Sequence, residues 1–222
     1  AGSDSIFMDD FVNVRPFWSN FQAQWIEDFE TPGNLSISVN SRLDTTAFRT
    51  TNLASTSGNR SLFIDNFNSQ ATGATDEFTS PNIFTIFGKN LNLNFDYAFA
   101  ASTATDDDIL RVLVSDDCGE TWAQRKILAG GALRTTTTFT PNPFVPTTNE
   151  WSSTFVPLSF YKDSGPILIK FEYTNGGGNN LYIDNINFSA SNVGLDEAEL
   201  AQRVQIYPNP ASDVVFIEVA GN

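Results

Sequence analysis

The strongest constraint on the fold is an alternation of apolar and polar residues that recurs from Trp25 to Ser189. Successive side chains of a β-strand point to opposite faces, so a strand with one buried face carries an apolar residue at every second position. Residues 91–99 are the clearest example, with Leu, Leu, Phe, Tyr and Phe at alternate positions. Similar runs occur at residues 25–30, 61–67, 82–86, 109–115, 121–127, 155–160, 167–173 and 181–188.

Turn-forming residues separate these runs. They include an aspartate triplet at residues 106–108, Pro-Asn-Pro at 141–143 and Gly-Gly-Gly-Asn-Asn at 176–180. Many short strands with polar turns and no convincing long helix predict an all-β fold, a sandwich or jelly roll. We expect this domain to occupy residues 25–189.

The segments that flank this domain are less regular. Residues 1–24 carry aromatic residues at helical spacing, as in Phe7 and Phe11, and are either a helix or an extended segment that caps the main domain. Residues 190–203 lose the alternation, which predicts a linker. Residues 204–222 read as the first strand of a second small β-sandwich, because so short a stretch cannot bury two faces of its own.

The composition excludes several classes of function. The chain has no histidine, which excludes His-dependent zinc sites, Ser-His-Asp and Cys-His hydrolases and histidine acid–base chemistry. The single cysteine, Cys118, cannot form an intrachain disulfide. The net charge of −14 argues against a nucleic-acid partner, because such a surface repels phosphate. No apolar run approaches the roughly 18 residues that a membrane-spanning helix needs.

The segment SDDCGETW matches the S-x-D-x-G-x-T-W pattern of the Asp-box, which begins at Ser115 and includes Thr121. Its physical content is a hairpin, in which Asp117 accepts backbone N–H bonds, Gly119 takes a positive φ and Trp122 covers the base. Asp-boxes recur as repeats in sialidase propellers. One copy, on a chain too short for a propeller and without an arginine cluster, predicts a structural hairpin tip.

Several further motifs follow one another between residues 25 and 188: EDFE, SGNRSLFID, LNLNFDYAF, LRVLVSDDCGETW, IKFEYTN and YIDNINF. Together they resemble the MAM-type and carbohydrate-binding-module-type jelly rolls of secreted Bacteroidetes proteins. The resemblance implies a structural calcium ion held by Glu30 and Asp184. Asp28 and oxygens of residues 57–59, including Asn59, would be additional ligands.

Calcium has a physical rationale at these positions. Hard oxygen ligands from the first and last strands would fasten the ends of the sandwich together. The alternative is that Glu30 and Asp184 are ordinary solvated or edge-strand acids. The aspartates at residues 106–108 predict a solvated turn, with a second calcium site as the lesser alternative.

The segment IYPNPASDVVFIEV predicts a strand, a rigid turn and a second strand. Pro208 and Pro210 fix their own φ and favour an extended preceding residue, and Asn209 suits the turn between them. The segment resembles the start of the type A C-terminal sorting domain of cargo proteins of the Bacteroidetes type IX secretion system. The resemblance implies that Tyr207 to Pro210 are a sorting motif. The partners would be the outer-membrane translocon and its shuttle proteins, and the location would be extracellular or at the outer-membrane surface.

Two functions remain open, and neither is enzymatic. The first is adhesion, or binding of glycans, of a substrate or of cell-surface proteins, which predicts an exposed aromatic patch. Candidates by residue type are Trp18, Trp151, Tyr161 and Tyr173, for each of which core packing is the alternative. The second is a structural or accessory domain of a larger secreted hydrolase, such as a metalloprotease, with no ligand beyond calcium and a featureless polar surface.

Two sites of modification are suggested by short patterns. Ser5 and Thr45 each follow an aspartate. They resemble the Asp-Ser/Thr positions at which Bacteroidetes attach O-glycans, which predicts modification at both residues.

Overall fold

The structure is a computed structural model that describes residues 24–31, 33–41, 47–69, 71–85, 89–192, 204–207 and 216–219. The strands in these ranges are β1 (Trp25–Glu27), β2 (Ser38–Ser41), β3 (Arg49–Thr51), β4 (Ser61–Ile64), β5 (Thr75–Thr79), β6 (Ile83–Phe84), β7 (Lys89–Phe99), β8 (Ile109–Ser115), β9 (Ala123–Ala129), β10 (Ser152–Pro157), β11 (Pro166–Thr174), β12 (Leu181–Asn192), β13 (Val204–Tyr207) and β14 (Phe216–Val219). Single-turn 3₁₀ helices lie at Gly130–Ala132, Thr148–Glu150 and Ser159–Tyr161. None of the helices described here is long or apolar enough to cross a membrane.

Two antiparallel sheets form a β-sandwich, which confirms the predicted all-β fold. The first sheet has the order β10-β7-β12-β4-β3, and β1 also pairs with β12. The second has the order β2-β5-β11-β8-β9, and β6 also pairs with β11. Aromatic rings fill the space between them: Phe171 stacks on Phe78 at 4.6 Å between ring centroids and meets Phe95 of the first sheet edge-on at 4.9 Å. The alternation of β7 is explained by this core.

Several strand boundaries differ from the sequence prediction. Strand β8 has the predicted bounds, whereas β1 ends at Glu27 because Phe29 takes a φ of 60°. Strand β10 starts at Ser152 rather than at residue 155, and residues 159–160 belong to a 3₁₀ turn instead of a strand. Strands β2, β3 and β5 were not predicted, because their sequences are short and mostly polar.

Strand β12 organises the first sheet. One of its edges pairs with β7, and the other is divided between β4 at Leu181–Ile183 and β1 at Ile186–Phe188. A β-bulge between Asp184 and Asn187 marks the division, and Asn185 there has a φ of 49°. Bulges redirect side chains, and this one lies where the first and last strands of the sandwich meet.

A long connection between β9 and β10 covers part of the outer face of the first sheet. Phe144 of this connection packs with Phe63 and Tyr182 in a second apolar cluster. The Asn179 amide holds the connection in place, accepting the backbone N–H of Phe144 at 2.8 Å and donating to the carbonyl of Asn142 at 2.8 Å. Beyond the bulge, no other described segment covers this face, and Asn94 and Phe155 are exposed there.

Strands β13 and β14 form a two-stranded antiparallel sheet of their own, in which Val204 pairs with Val219 and Tyr207 with Phe216. This pairing agrees with the two predicted strands. Pro208, Asn209 and Pro210 lie outside the described residues, and so do Thr45 and residues 193–203. Residues 1–23, which include Ser5 and Trp18, lie outside them as well.

Candidate functional site

Glu30 fastens the end of β1 to the loop of residues 54–60. Its Oε1 accepts the backbone N–H groups of Asn59 at 2.9 Å and Arg60 at 2.7 Å. Gly58 lies so close that a Cβ at this position would overlap the Glu30 carboxylate. Asp28 acts on Glu30 itself, because its Oδ1 accepts the Glu30 N–H at 3.1 Å. Asn59 therefore contacts Glu30 through its main chain.

Asp184 reaches the same loop from β12. The side chain is fully buried, and its Oδ2 accepts the N–H and the hydroxyl of Thr56, at 2.8 and 3.0 Å. The N–H of Ser57 also points to Oδ2, at 3.4 Å, and the N–H of Asn185 donates to Oδ1 at 2.8 Å. Burial raises the pKa of the Asp184 carboxyl, and these hydrogen bonds oppose the shift.

The network continues from β12 through β7 to β10. Its link is Asp96 on β7, which lies directly opposite Asp184 of β12. Asp96 Oδ2 accepts the Asn185 amide at 2.9 Å, and Asp96 Oδ1 accepts the Ser153 hydroxyl at 2.5 Å. The Ser57 hydroxyl donates to Asn185 Oδ1 at 2.6 Å. The sequence analysis missed Asp96 and Asn185, although Asp96 is the one charged residue at the outward positions of LNLNFDYAF.

A second buried acid, also missed, lies at the end of β1. Glu27 Oε2 accepts the N–H and hydroxyl of Ser36 at 2.7 and 2.6 Å, and Glu27 Oε1 accepts the N–H of Phe29 at 3.1 Å. The Trp25 indole donates to the same Ser36 hydroxyl at 2.8 Å. These bonds fix the sharp turn at Phe29 that places Glu30 over its loop.

The carboxylate oxygens of Glu30 and Asp184 are of the kind that binds a hard cation. The groups that face them in this structure are N–H and O–H hydrogen-bond donors. Ca²⁺ takes about six to eight oxygen ligands. Within the part of the chain that the structure describes, no three Asp, Glu or Cys side chains group as they would around a metal ion. A calcium ion held by Glu30 and Asp184 would therefore take its other ligands from main-chain and hydroxyl oxygens of the loop that both residues contact.

The Asp-box residues form a hairpin tip between β8 and β9. Asp117 accepts the Ser115 hydroxyl at 2.6 Å, the Thr121 N–H at 2.9 Å and the Thr121 hydroxyl at 2.5 Å. Gly119 has a φ of 92°, and the Trp122 indole donates to the Gly119 carbonyl at 3.1 Å. The hydrogen bonds from Ser115 and Thr121 lower the Asp117 pKa to about 2.

The acidic turn at residues 106–108 is not solvated throughout. Asp107 is exposed, but Asp108 is buried, and its Oδ1 accepts the Tyr173 hydroxyl at 2.5 Å, the Asn66 amide at 3.0 Å and the Gly176 N–H at 3.0 Å. Burial raises the pKa of the Asp108 carboxyl. Asp108 thus joins the start of β8 to the glycine-rich loop, which corrects the expectation of a fully solvated turn.

Exposed aromatic rings lie at other positions than those the sequence suggested. Tyr161 and Tyr173 are buried, and Trp151 is half-buried against Tyr182. The exposed rings include Phe155, 52% exposed, and Phe160, 81% exposed. Because successive strand residues face opposite sides, Phe155 projects away from the core into which Val156 is buried.

The open face of the first sheet carries a row of four cross-strand neighbours. Phe155 on β10 pairs with Asn94 on β7, Asn94 with Asn187 on β12, and Asn187 with Ile26 on β1. Directly paired residues project from the same face of a sheet. Ile26 is 54% exposed and Asn94 is also exposed, whereas Asn187 is half-buried and its Oδ1 is enclosed with no hydrogen-bond partner among the described residues. The row therefore presents the Asn94 amide between two exposed apolar side chains.

No protein-family model matches the chain, and neither does any curated protein. Among solved structures, the K2 cleaved adhesin domain of Lys-gingipain is similar with a TM-score of 0.56 and 15% identity, over 75% of this chain and 98% of that one. The K1 cleaved adhesin domain of Lys-gingipain from Porphyromonas gingivalis W83 gives a TM-score of 0.54 and 12% identity, over 77% and 99%. A carbohydrate-binding module in complex with β-1,4-galactotriose gives 0.49 and 14%, over 74% and 95%. At these identities, the likeness to the two adhesin domains shows a shared β-sandwich fold.

Proposed function

We propose that this chain is a non-catalytic extracellular binding module that recognises carbohydrate on the open face of its first sheet. The observation that carries the proposal is the row formed by Phe155, Asn94, Asn187 and Ile26. Amide groups can donate to and accept from sugar hydroxyls, while apolar side chains pack on the C–H faces of the rings. A pure spacer domain would not need exposed apolar side chains beside such amides.

The fold supports the same function. The two solved structures with the higher TM-scores, 0.56 and 0.54, are adhesin domains of a gingipain. Adhesin domains serve attachment, and the absence of histidine from this chain removes the commonest acid–base catalyst. Binding without catalysis accounts for both observations.

A glycan array followed by calorimetry tests the proposal. We expect Phe155→Ala and Asn94→Ala each to weaken binding of the best glycan by about tenfold, because each removes one contact of about 1–2 kcal/mol. The matched control is Val39→Ala on the second sheet, where an apolar side chain is also exposed. The proposal fails if no glycan binds, or if the control weakens binding as much as the two variants.

We further propose export by the type IX secretion system through the motif that begins at Tyr207. Strand β13 ends at Tyr207 and pairs with β14, so the motif begins at the last residue of the first strand of this pair. Deleting residues 204–222, together with any sequence that follows them, should retain the protein in the cell envelope. Unchanged export would contradict the proposal.

Structural calcium at Glu30 and Asp184 is the third element of the proposal. The ion would fasten β1 and β12 to the loop of residues 54–60, and binding to the folded state alone would raise the melting temperature. We expect calcium to raise the melting temperature of the wild-type protein, and Glu30→Gln to lose that response. Asp107 is an exposed acid, so the control variant Asp107→Asn should keep the response. No calorimetric signal and no effect of EDTA would rule the ion out.

A further inference from the structure

Arg125 occupies a β-bulge on an edge strand. In the β8–β9 pairing Val112 lies opposite Lys126 and Leu113 opposite Gln124, which leaves Arg125 as the extra residue. Strand β9 is at the edge of the second sheet. A bulged residue has no cross-strand partner of its own, and its side chain leaves the alternation of the strand. The guanidinium is thereby directed to the other sheet's edge.

Two aromatic rings from the 3₁₀ turn after β10 hold the guanidinium. Arg125 Cζ lies 5.3 Å from the centroid of the Phe160 ring and 4.7 Å from that of Tyr161. Its Nε donates to the Tyr161 hydroxyl at 2.7 Å. Tyr161 is itself buried in the core, so the guanidinium is fixed by a rigid support while its two terminal nitrogens remain for another acceptor.

Two of the other arginines in the described part of the chain have a carboxylate partner, while Arg60 and Arg134 form no ion pair there. Arg49 stacks on the Phe63 ring at 4.9 Å and also pairs with Asp65 at 3.3 Å, and Arg111 pairs with Glu172 at 3.2 Å. Among the described residues no ion pair is formed by Arg125. Arg125 differs from Arg60 and Arg134 in that two aromatic rings and a hydrogen bond orient its guanidinium.

The exposed ring beside Arg125 indicates the class of ligand. Phe160 is 81% exposed, the largest value among the exposed large hydrophobic side chains described. A flat ring next to a guanidinium fork offers a stacking surface for a sugar and a bidentate partner for a carboxylate on it. Arg134 over Phe139 is the weaker counterpart, with a single ring contact at 4.8 Å and a ring 46% exposed.

We propose that Arg125 and Phe160 form a binding site for an acidic saccharide, in which the guanidinium binds the carboxylate of a hexuronate and the Phe160 ring stacks on the sugar. Tyr161 positions Arg125. The inference rests on the proposed function, since it names the ligand class of a carbohydrate-binding module, but it uses a different surface from the open sheet face.

Affinity electrophoresis and calorimetry with polygalacturonate and alginate test the site. We expect the wild-type protein to bind at least one of these hexuronans, and Arg125→Ala to weaken that binding by about tenfold or more. Arg125→Lys keeps the charge but loses the fork, so most of the affinity should be lost as well. Phe160→Ala should weaken binding several-fold, and Tyr161→Phe should give a smaller loss, because it frees the Arg125 Nε.

Two controls separate this site from general attraction. Methyl esterification of the polygalacturonate keeps the sugar and removes the charge, and should abolish the contribution of Arg125. Arg49→Ala removes an arginine that stacks on a ring but already pairs with Asp65, and should leave binding within about twofold, far below the loss of a charged hydrogen bond. Melting temperatures establish that each variant is folded.

The outcomes that overturn the inference are distinct from those that overturn the proposed function. Any one of four results rules out the acidic-saccharide site. They are no binding of either hexuronan, equal binding of the methyl ester, unchanged binding by Arg125→Ala, and equally tight binding of polyglutamate. Neutral glycans that bind in a manner dependent on Phe155 would leave the proposed function standing in all of these cases. Loss of all glycan binding on the array would remove the proposed function as well.

Discussion

Gly58 shows how one residue can decide the geometry of the calcium-candidate loop. Its φ of 60° disfavours a Cβ, and its closeness to the Glu30 carboxylate leaves no room for one. Gly58→Ala should lower the free energy of unfolding by about 1–2 kcal/mol for the backbone and about 1 kcal/mol more for each of the Glu30 hydrogen bonds it breaks. Urea denaturation measures the change.

The control for this variant is Gly73→Ala. Gly73 also has a positive φ, 88°, but nothing lies within 4 Å of a Cβ added there. It should therefore show the backbone cost alone. Equal losses for the two glycines would mean that the contact with Glu30 has no energetic consequence.

Asp117 gives the residue-scale prediction for pH. Hydrogen bonds from Ser115 and Thr121 lower its pKa from 3.8 to about 2. A lowered folded-state pKa contributes stability that is present above the unfolded value and lost as the pH falls toward about 2. Asp117→Asn should therefore lower the melting temperature at pH 7 and flatten its decline between about pH 4 and 2. Melting curves over this pH range test the sign, and an unchanged decline would contradict it.

At the scale of elements, the β12 bulge and the loop of residues 54–60 depend on Asp184 as an acceptor. Asp184→Asn would turn an amide NH₂ toward Thr56 or Asn185, both of which donate to the carboxylate. We expect a loss of about 1–3 kcal/mol, the cost of leaving a buried donor unsatisfied. Asp107→Asn is the exposed control.

The opposite result for Asp184→Asn is also informative. Burial raises the pKa of this carboxyl, so its charge has a cost at neutral pH that an amide would remove. Stabilisation at pH 7 would therefore show that desolvation outweighs the four hydrogen bonds. Urea titrations of wild type and variant at pH 7 decide between the two.

Strand elements were predictable where one face is apolar. β7 and β8 alternate strongly and were found from the sequence, whereas β5, with the sequence TDEFT, buries Asp76 and Glu77 and gives no apolar pattern. The start of β10 was misplaced because Ser152 and Ser153 carry no signal for burial, and pairing with β7 alone makes them a strand.

The candidate sites were predictable only in part. The resemblance to MAM-type and carbohydrate-binding-module-type jelly rolls implied that Glu30 and Asp184 share a site, and both residues contact the loop of residues 54–60. The participation of Asp96 and Asn185 depends on strand register and on a bulge, which no local pattern encodes. The bulge at Arg125 is likewise a property of the pairing between β8 and β9.

At the scale of the whole molecule, strand pairing connects β13 and β14 only to each other within the described residues. An isolated two-stranded hairpin is marginally stable in water. A chain that ends at Asn192 should therefore keep the melting temperature of the sandwich within about 2 °C, the shift expected for well under 1 kcal/mol in a domain of this size. A fall of many degrees would show that the sandwich depends on the C-terminal segment.

The antiparallel pairing of β1 with β12 brings the chain into and out of the sandwich at the same end, since Trp25 lies opposite Phe188. Force applied to both ends of the chain would break the β1–β12 pairs in succession, beginning at Trp25 and ending at Glu27. Strand β12 itself stays held by β7 as far as Asn192. A sandwich pulled in this way would thus yield first at β1, and the hydrogen bonds of Glu30 with the neighbouring loop would resist further opening.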